Sequence, residues 1–299
     1  MRSRACRARL ACRARLRGPV AAAPPPAGGG LGAGGGRRPA PMAAESHYAA
    51  VVAVYETAWC YKEDGDFQKW MLEQVSSLLP TPCSALVDIG CGTGAFSAAL
   101  AEQAGVPVVG VEPSAEMAAK ASERGLEVEV TDAIAWSVSA GERPFDFMLL
   151  KEVRHHIEDP LLLYSNLARR LPPGGKVVLV TRPDDAEGYP FPGHDKWAAG
   201  NLVKLPEHVQ ALADAGLTAT VEERPYPVSM PRAEWERLVR AQFWSFLHEL
   251  SADDIDAGLR DLGLQETVRF NDRITFVVGC KPAAKTGCQG DALPPFLAG

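Results

Sequence analysis

The 299-residue chain contains no apolar run approaching the ~18 residues needed to cross a bilayer, which excludes a helical membrane protein and sets the expectation of a soluble one. It has no C-x-x-C pair. Its seven cysteines, at 6, 12, 60, 83, 91, 280 and 288, are odd in number and scattered. That argues against a disulfide framework and a zinc site, and fits a reducing compartment. No carboxylate–histidine spacing supports another metal, so none is expected. Acidic residues are missing from the first 41 positions, which hold nine arginines. Removing those nine from the 31 basic residues leaves 22 against 37 acidic ones, a net of −15 for the remainder. A body so acidic is a poor partner for nucleic acid, whose affinity rests mainly on phosphate neutralisation.

The arginine-rich start also lacks aromatics and helical periodicity. "ACRARL" occurs twice, at 5–10 and 11–16, and is followed by "AAAPPPAGGGLGAGGG". Such a stretch cannot bury apolar surface, and residues 1–41 are expected to be disordered. They read as a transit segment, as a leader ahead of Met42, or as an extension without function. The corresponding localisation is cytoplasmic, or mitochondrial or plastid if the segment is a transit peptide. The rest divides into a folded domain over 42–282, with a helical insertion at about 229–264, and a flexible tail over 283–299.

Within the domain, 47–79 has a helical pattern that Pro80 and Pro82 end. Short apolar strands then alternate with helical stretches; the strands are Ala85–Ile89, Val106–Val111, Leu126–Val130, Phe145–Leu150 and Lys176–Thr181. Gly105 and Gly125 are placed as helix stops and Ser114 as an N-cap. This rhythm predicts a doubly wound α/β fold, a parallel sheet covered on both faces. After Pro183 come a loop rich in Pro, Gly and aromatics, a helix at about 205–215 and a strand at about 218–225. A helix over 231–249 follows, then a second helix opened by Ser251 and Asp254 and ended by Gly263. "DRITFVVGCKP" closes the domain as a strand pairing antiparallel with the one near 220. The total is seven strands, the last antiparallel.

The chemistry is concentrated in "ALVDIGCGTGAFSAALAEQ", residues 85–103, where a strand enters a glycine-rich turn and then a helix. Gly90, Gly92 and Ala95 satisfy G-x-G-x-x-G/A, and Glu112 lies at a suitable distance for a ribose, so the spacing alone admits a nicotinamide dinucleotide. Asp88 argues otherwise. A pyrophosphate would sit at the helix N-terminus, where N–H groups and the helix dipole favour negative charge. A carboxylate two residues before the first glycine would repel it. S-adenosylmethionine carries a sulfonium and an ammonium and no phosphate, and D-x-G-x-G-x-G (Asp88, Gly90, Gly92, Gly94) suits it better.

On these residues the sequence resembles the class I, Rossmann-like, S-adenosylmethionine-dependent methyltransferases of the small-molecule type, over 85 to about 183. "VDIGCGTG" matches the family's first motif. "GVEPSAEM" matches the second and brings Glu112 and Pro113 to the end of strand two. The resemblance implies that the Glu112 carboxylate takes both ribose hydroxyls, two acceptor oxygens suiting two vicinal donors. "VTDAIAW" implies that Asp132 accepts from the adenine amino group beside the Ala133 backbone. "FDFMLLKEVRHHIEDP" brings Lys151 near the methionine portion, and "LARRLPPGGKVVLV" matches the fifth strand's approach. "YETAWCYK" resembles an aromatic segment that closes over the cofactor, which makes Tyr61 a contact.

His155 is the candidate base for an acceptor hydroxyl or amine, its ordinary pKa near 6.5 suiting the task. His156 is a candidate acceptor contact. Either or both histidines can instead simply hold the loop. Asp132 has a competing role as a helix cap. Of the late aromatics Tyr189, Phe191, Trp197, Trp235, Phe243, Trp244 and Phe246, the spacing assigns Trp235 and Phe246 to packing. Trp197, Phe243 and Trp244 become candidate walls for an apolar, aromatic or cationic acceptor. The expected function is methyl transfer from S-adenosylmethionine to a small molecule by direct displacement. The alternatives are a non-catalytic methyltransferase-like binding protein and an NAD-dependent oxidoreductase.

Overall fold

The computed structural model describes residues 58–283 except 140, 142, 201 and 202. The predicted leader 1–41, the helical pattern over 47–57 and the tail beyond 283 lie outside the described residues. Among the described residues the strands are β1 Leu86–Ile89, β2 Val108–Val111, β3 Glu127–Glu129, β4 Phe147–Lys151, β5 Lys176–Thr181, β6 Thr218–Pro231 and β7 Thr267–Cys280. The helices are α1 Asp66–Ser76, α2 Ala95–Ala104, α3 Ala115–Glu123, α4 Ala133–Ser139, α5 Pro160–Arg170, α6 His194–Gly200, α7 Leu205–Asp214, α8 Arg232–Arg240 and α9 Ala252–Asp261.

The strand order is β3-β2-β1-β4-β5-β7-β6. β1 to β5 pair in parallel, while β7 runs antiparallel to both β5 and β6. The predicted seven-stranded sheet with an antiparallel last strand is therefore the observed one. β1, β2 and β4 are buried on both faces because helices cover each side, which explains their continuous apolar runs. Leu86, Phe147, Leu149 and Val178 face α1, α2 and the helices inserted between β6 and β7. Val87, Ile89, Met148 and Leu150 face α4, α5 and α7. At one edge, β6 carries Pro225 and Pro227, which have no N–H to offer a further strand.

Ser114 caps α3 by accepting from Met117 N, and Ser251 and Asp254 form the capping box of α9. The helix expected over 231–249 is instead broken. α8 stops at Arg240, Gln242 takes φ 52°, and a 3-10 turn covers Ser245–Glu249. The Gln242 side chain stabilises the break by donating to Leu247 O at 2.9 Å and Leu250 O at 3.2 Å. The break turns Phe243 and Trp244 inward, beside Trp235, where an unbroken helix would have carried them off its buried stripe.

Candidate active site

The glycine turn follows β1 and meets the carboxyl ends of β2 and β4. Gly90 N and Cys91 N donate to Val111 O at 2.7 and 3.1 Å, which ties the turn to the end of β2. A Cβ on Gly90 would lie 2.3 Å from Val153 Cγ1, so the turn rests directly on the residues that follow β4. A Cβ on Gly94 would meet Leu126 and Ala121 at 2.6 and 2.7 Å; glycine here lets α2 approach its neighbours. Gly92 differs. It holds φ +58° with nothing within 4 Å of where its Cβ would be, so it serves the backbone conformation of the turn and no close packing contact.

Glu112 is 7% exposed, and its two oxygens accept separately, from Gly92 N at 2.9 Å and from Ser114 N at 3.0 Å. These bonds fix the carboxylate plane and leave each oxygen a second lone pair. Asp88, 1% exposed, accepts from Ser97 Oγ at 2.7 Å through one oxygen; its other oxygen is buried with no partner. Burial raises the Asp88 carboxyl above its ordinary value; the Ser97 bond and Lys151 pull it down and Glu112 pushes it up. The residues fit a phosphate-free, cation-bearing nucleoside. An orphaned buried oxygen, an acidic pair and an open glycine turn are all on one edge of the sheet.

Lys151 ends β4 with its ammonium 5.0 Å from the Phe96 ring centroid. Asp132 caps α4, accepting from Ala135 N at 2.8 Å, with Ala133 opening that helix. Pro113 is exposed beside Glu112. Tyr61 packs against the core on the α1 side. His155 and His156 lie on the 3-10 turn Arg154–His156, both exposed, with ring centroids 4.0 Å apart. Trp197 and Trp244 come together at 5.4 Å, and Phe243 and Trp244 at 4.4 Å. Phe243 and Trp244 are as buried as Trp235 and Phe246, so burial does not separate the two groups that helical spacing divides.

Sequence reasoning missed the group beneath these aromatics. Arg182, just past β5, is buried and donates to both oxygens of Asp272, from Nε at 2.8 Å and from Nη2 at 2.7 Å. Its Nη1 donates to Glu152 Oε2 at 2.9 Å. Tyr189 and Trp59 also donate to Asp272, at 2.9 and 3.3 Å. The signal was present in β7. Val268, Phe270, Asp272 and Ile274 share its buried parity, so an acidic residue stood in an apolar series. Glu152 gave no such sign; it holds φ 58° at the end of β4. Neighbouring Arg154 is buried and donates to Asp184 at 2.5 Å.

Cys91 turns its sulfur inward to the Gly110 side, and burial, with Asp88 and Glu112 nearby, pushes its thiol up. Among the described residues no three His, Cys, Asp or Glu side chains converge as a metal site would require.

Residues 64–250 match a family model described as a methyltransferase domain. The chain belongs to that family, the class I S-adenosylmethionine-dependent methyltransferases whose seven-stranded sheet it shares. Among curated relatives, phosphoethanolamine N-methyltransferase 1 of Arabidopsis thaliana is 28% identical over 194 residues, 62% of this chain and 39% of that protein. Ubiquinone biosynthesis O-methyltransferase of Caulobacter sp. (strain K31) is 38% identical over 101 residues, 32% of this chain and 40% of that protein. The chain thus spans about two fifths of the length of these relatives. Among solved structures, Haemonchus contortus phosphoethanolamine N-methyltransferase 2, in complex with phosphomonomethylethanolamine and S-adenosylhomocysteine, aligns with a TM-score of 0.52. It is 19% identical, and the alignment covers 80% of this chain and 58% of that one. At that identity the likeness is one of fold.

Proposed function

We propose that this protein binds S-adenosylmethionine across the β1–β2 edge and transfers its methyl group to a small-molecule acceptor. The observation that carries the reading is the acidic pair Asp88 and Glu112 around the glycine turn, one oxygen of Asp88 being buried without a partner. Glu112, with its orientation set by Gly92 N and Ser114 N, takes the ribose hydroxyls. Asp132 and Ala133 border the adenine, Pro113 flanks the ribose, and Asp88 and Lys151 serve the methionine portion. Tyr61 covers the cofactor, and His155 and His156 stand at the acceptor mouth. When bound, S-adenosylmethionine supplies a methyl carbon on a sulfonium: the nucleophile's lone pair makes the new bond, and the carbon–sulfur pair stays on sulfur as a neutral thioether. The protein's share is positioning, and charge is lost from sulfur as the methyl departs, so no oxyanion hole is called for.

The same acidic edge opposes a nicotinamide dinucleotide. Calorimetry with S-adenosylhomocysteine and NADH in parallel tests this: the thioether nucleoside should bind in the micromolar range and NADH should not. Tight NADH binding would reverse the assignment. Turnover of labelled methyl against a metabolite panel separates an enzyme from a binding platform. The net −15 of residues 42–299 supports an acceptor that is not nucleic acid. Cys60, Cys83, Cys91 and Cys280 are free thiols and support a reducing compartment, the cytoplasm or an organelle interior. No helix of the described residues is long and apolar enough to cross a membrane.

A further inference from the structure

Two buried polar atoms without partners lie around a single guanidinium at the β4–β5 edge. Glu152 gives Oε2 to Arg182 Nη1 at 2.9 Å, while its Oε1 is buried and unpartnered. Trp244, 5% exposed, has its ring centroid 5.1 Å from Arg182 Cζ, and its indole N–H is buried and unpartnered. Buried polar atoms are normally paired, so each of these calls for a partner. Glu152 is also held at φ 58°, a left-handed conformation that is strained for a non-glycine residue and that clusters at functional sites. Val153, the next residue, touches the glycine turn, which sets Glu152 beside the proposed cofactor position.

Charge at this edge discriminates among acceptors. Arg182 is committed by three donor nitrogens to Asp272 and Glu152, and Arg154 by Nη1 to Asp184. Asp88, Glu112, Glu152, Asp184 and Asp272 outnumber Lys151, Arg154 and Arg182. A phosphate brought here would face carboxylates, with Arg182 committed through all three of its nitrogens and Arg154 through two, its Nε alone being buried without a partner.

We infer that the acceptor is a phosphate-free amine or hydroxyl compound whose nucleophilic N–H or O–H donates to Glu152 Oε1, with a lone-pair group meeting the Trp244 indole N–H. This deepens the methyltransferase reading and rests on it. Glu152 then holds the nucleophile's lone pair toward the methyl, and the proton released as the new bond forms passes to its carboxylate. Arg182, through its bond to Oε2, keeps Oε1 facing the nucleophile.

The test uses the full chain and two readouts. S-adenosylhomocysteine affinity is measured first, for the wild type and Glu152→Gln. Labelled methyl transfer is then measured with phenethylamine, catechol and phosphoethanolamine. Phosphoethanolamine should give no more than the no-acceptor blank, and transfer should go to the amine or the hydroxyl, whichever carries the right nucleophile. With that acceptor, Glu152→Gln should lower kcat about 100-fold and Glu152→Asp should restore part of it. S-adenosylhomocysteine affinity should stay within about twofold of wild type. Tryptophan fluorescence of the S-adenosylhomocysteine complex, titrated with the same acceptor, should show Trp244→Phe weakening its binding about fivefold. Efficient methylation of phosphoethanolamine, undiminished transfer by Glu152→Gln, or no transfer to either phosphate-free probe would overturn the inference. Failure to bind S-adenosylhomocysteine would instead overturn the methyltransferase reading.

Discussion

The two halves of the sheet's carboxyl edge are built by different means. On the β1–β2 side, the glycine turn, Asp88, Ser97 and Glu112 lie within 25 residues of one another, and backbone N–H groups do much of the holding. On the β4–β5–β7 side, Trp59, Glu152, Arg182, Tyr189 and Asp272 converge from across the chain into a buried ion cluster roofed by aromatic rings. The first half is a short local device, the one proposed above to hold the cofactor. The second depends on the whole fold being in place, since its members are drawn from positions as far apart as 59 and 272.

The sharpest way to break that contrast is to remove Arg182. Arg182→Met leaves Asp272, buried among Tyr189 and Trp59, without its bidentate counter-ion. The expected cost is about 3–5 kcal/mol in urea unfolding, and a double variant with Asp272→Leu should recover much of it. A loss below about 1 kcal/mol would mean that the cluster does not hold this half together.

The layer behind β4 and β5 provides a pH probe. His208 on α7 is buried, shares a 2.9 Å hydrogen bond between its Nδ1 and the Tyr164 hydroxyl, and is pushed down to about 4, chiefly by burial and also by Arg154. The unfolded chain, with an ordinary histidine near 6.5, therefore binds the extra proton first as pH falls. Stability is unaffected by this group above about pH 6.5 and declines between there and about pH 4, by at most about 3 kcal/mol. His208→Gln should flatten that segment of the urea-midpoint profile. An unchanged slope would remove His208 from the account.

Glu112 tests the local half. Glu112→Ala removes the proposed ribose acceptors, and S-adenosylhomocysteine should bind about 100-fold more weakly, roughly 2.7 kcal/mol. Global stability should fall by only about 1 kcal/mol, the size of a lost cap, because Gly92 N and Ser114 N lie near solvent-accessible space. Equal losses in both measurements would make Glu112 a structural residue.

The same division explains what could be read from the sequence. The strands, and the acids of the proposed cofactor edge, follow from period and glycine spacing, both of which are local. Ser114, Gly105 and the Ser251–Asp254 box were legible for that reason. The break at Gln242 was not. Its cause is a side chain reaching carbonyls five and eight residues on, inside an otherwise good helical pattern. Nor could spacing show that Glu152 adopts a left-handed conformation, or that Arg182 would meet an acid 90 residues later. Asp272 was legible in part, as a carboxylate on the buried parity of β7.

The smallest expected effect is also the one that best separates function from fold. Asp88 is ionised at a cost, because burial raises its carboxyl while Ser97 and Lys151 only partly offset it. A folded acid with a raised pKa takes its proton more readily than the unfolded chain, so stability is lost as pH rises through the raised value and is regained below the ordinary carboxylate range. Asp88→Asn abolishes that cost and can still accept from Ser97 Oγ. Without ligand at neutral pH, its Tm should rise by a few degrees, and the gap to wild type should close as pH falls. Its affinity for S-adenosylmethionine should drop by about tenfold, the equivalent of roughly 1.4 kcal/mol. A residue kept for packing would lose stability on substitution. A residue kept for a cationic ligand gains stability and loses binding, and a fall in Tm together with unchanged affinity would sink the cofactor assignment at this position.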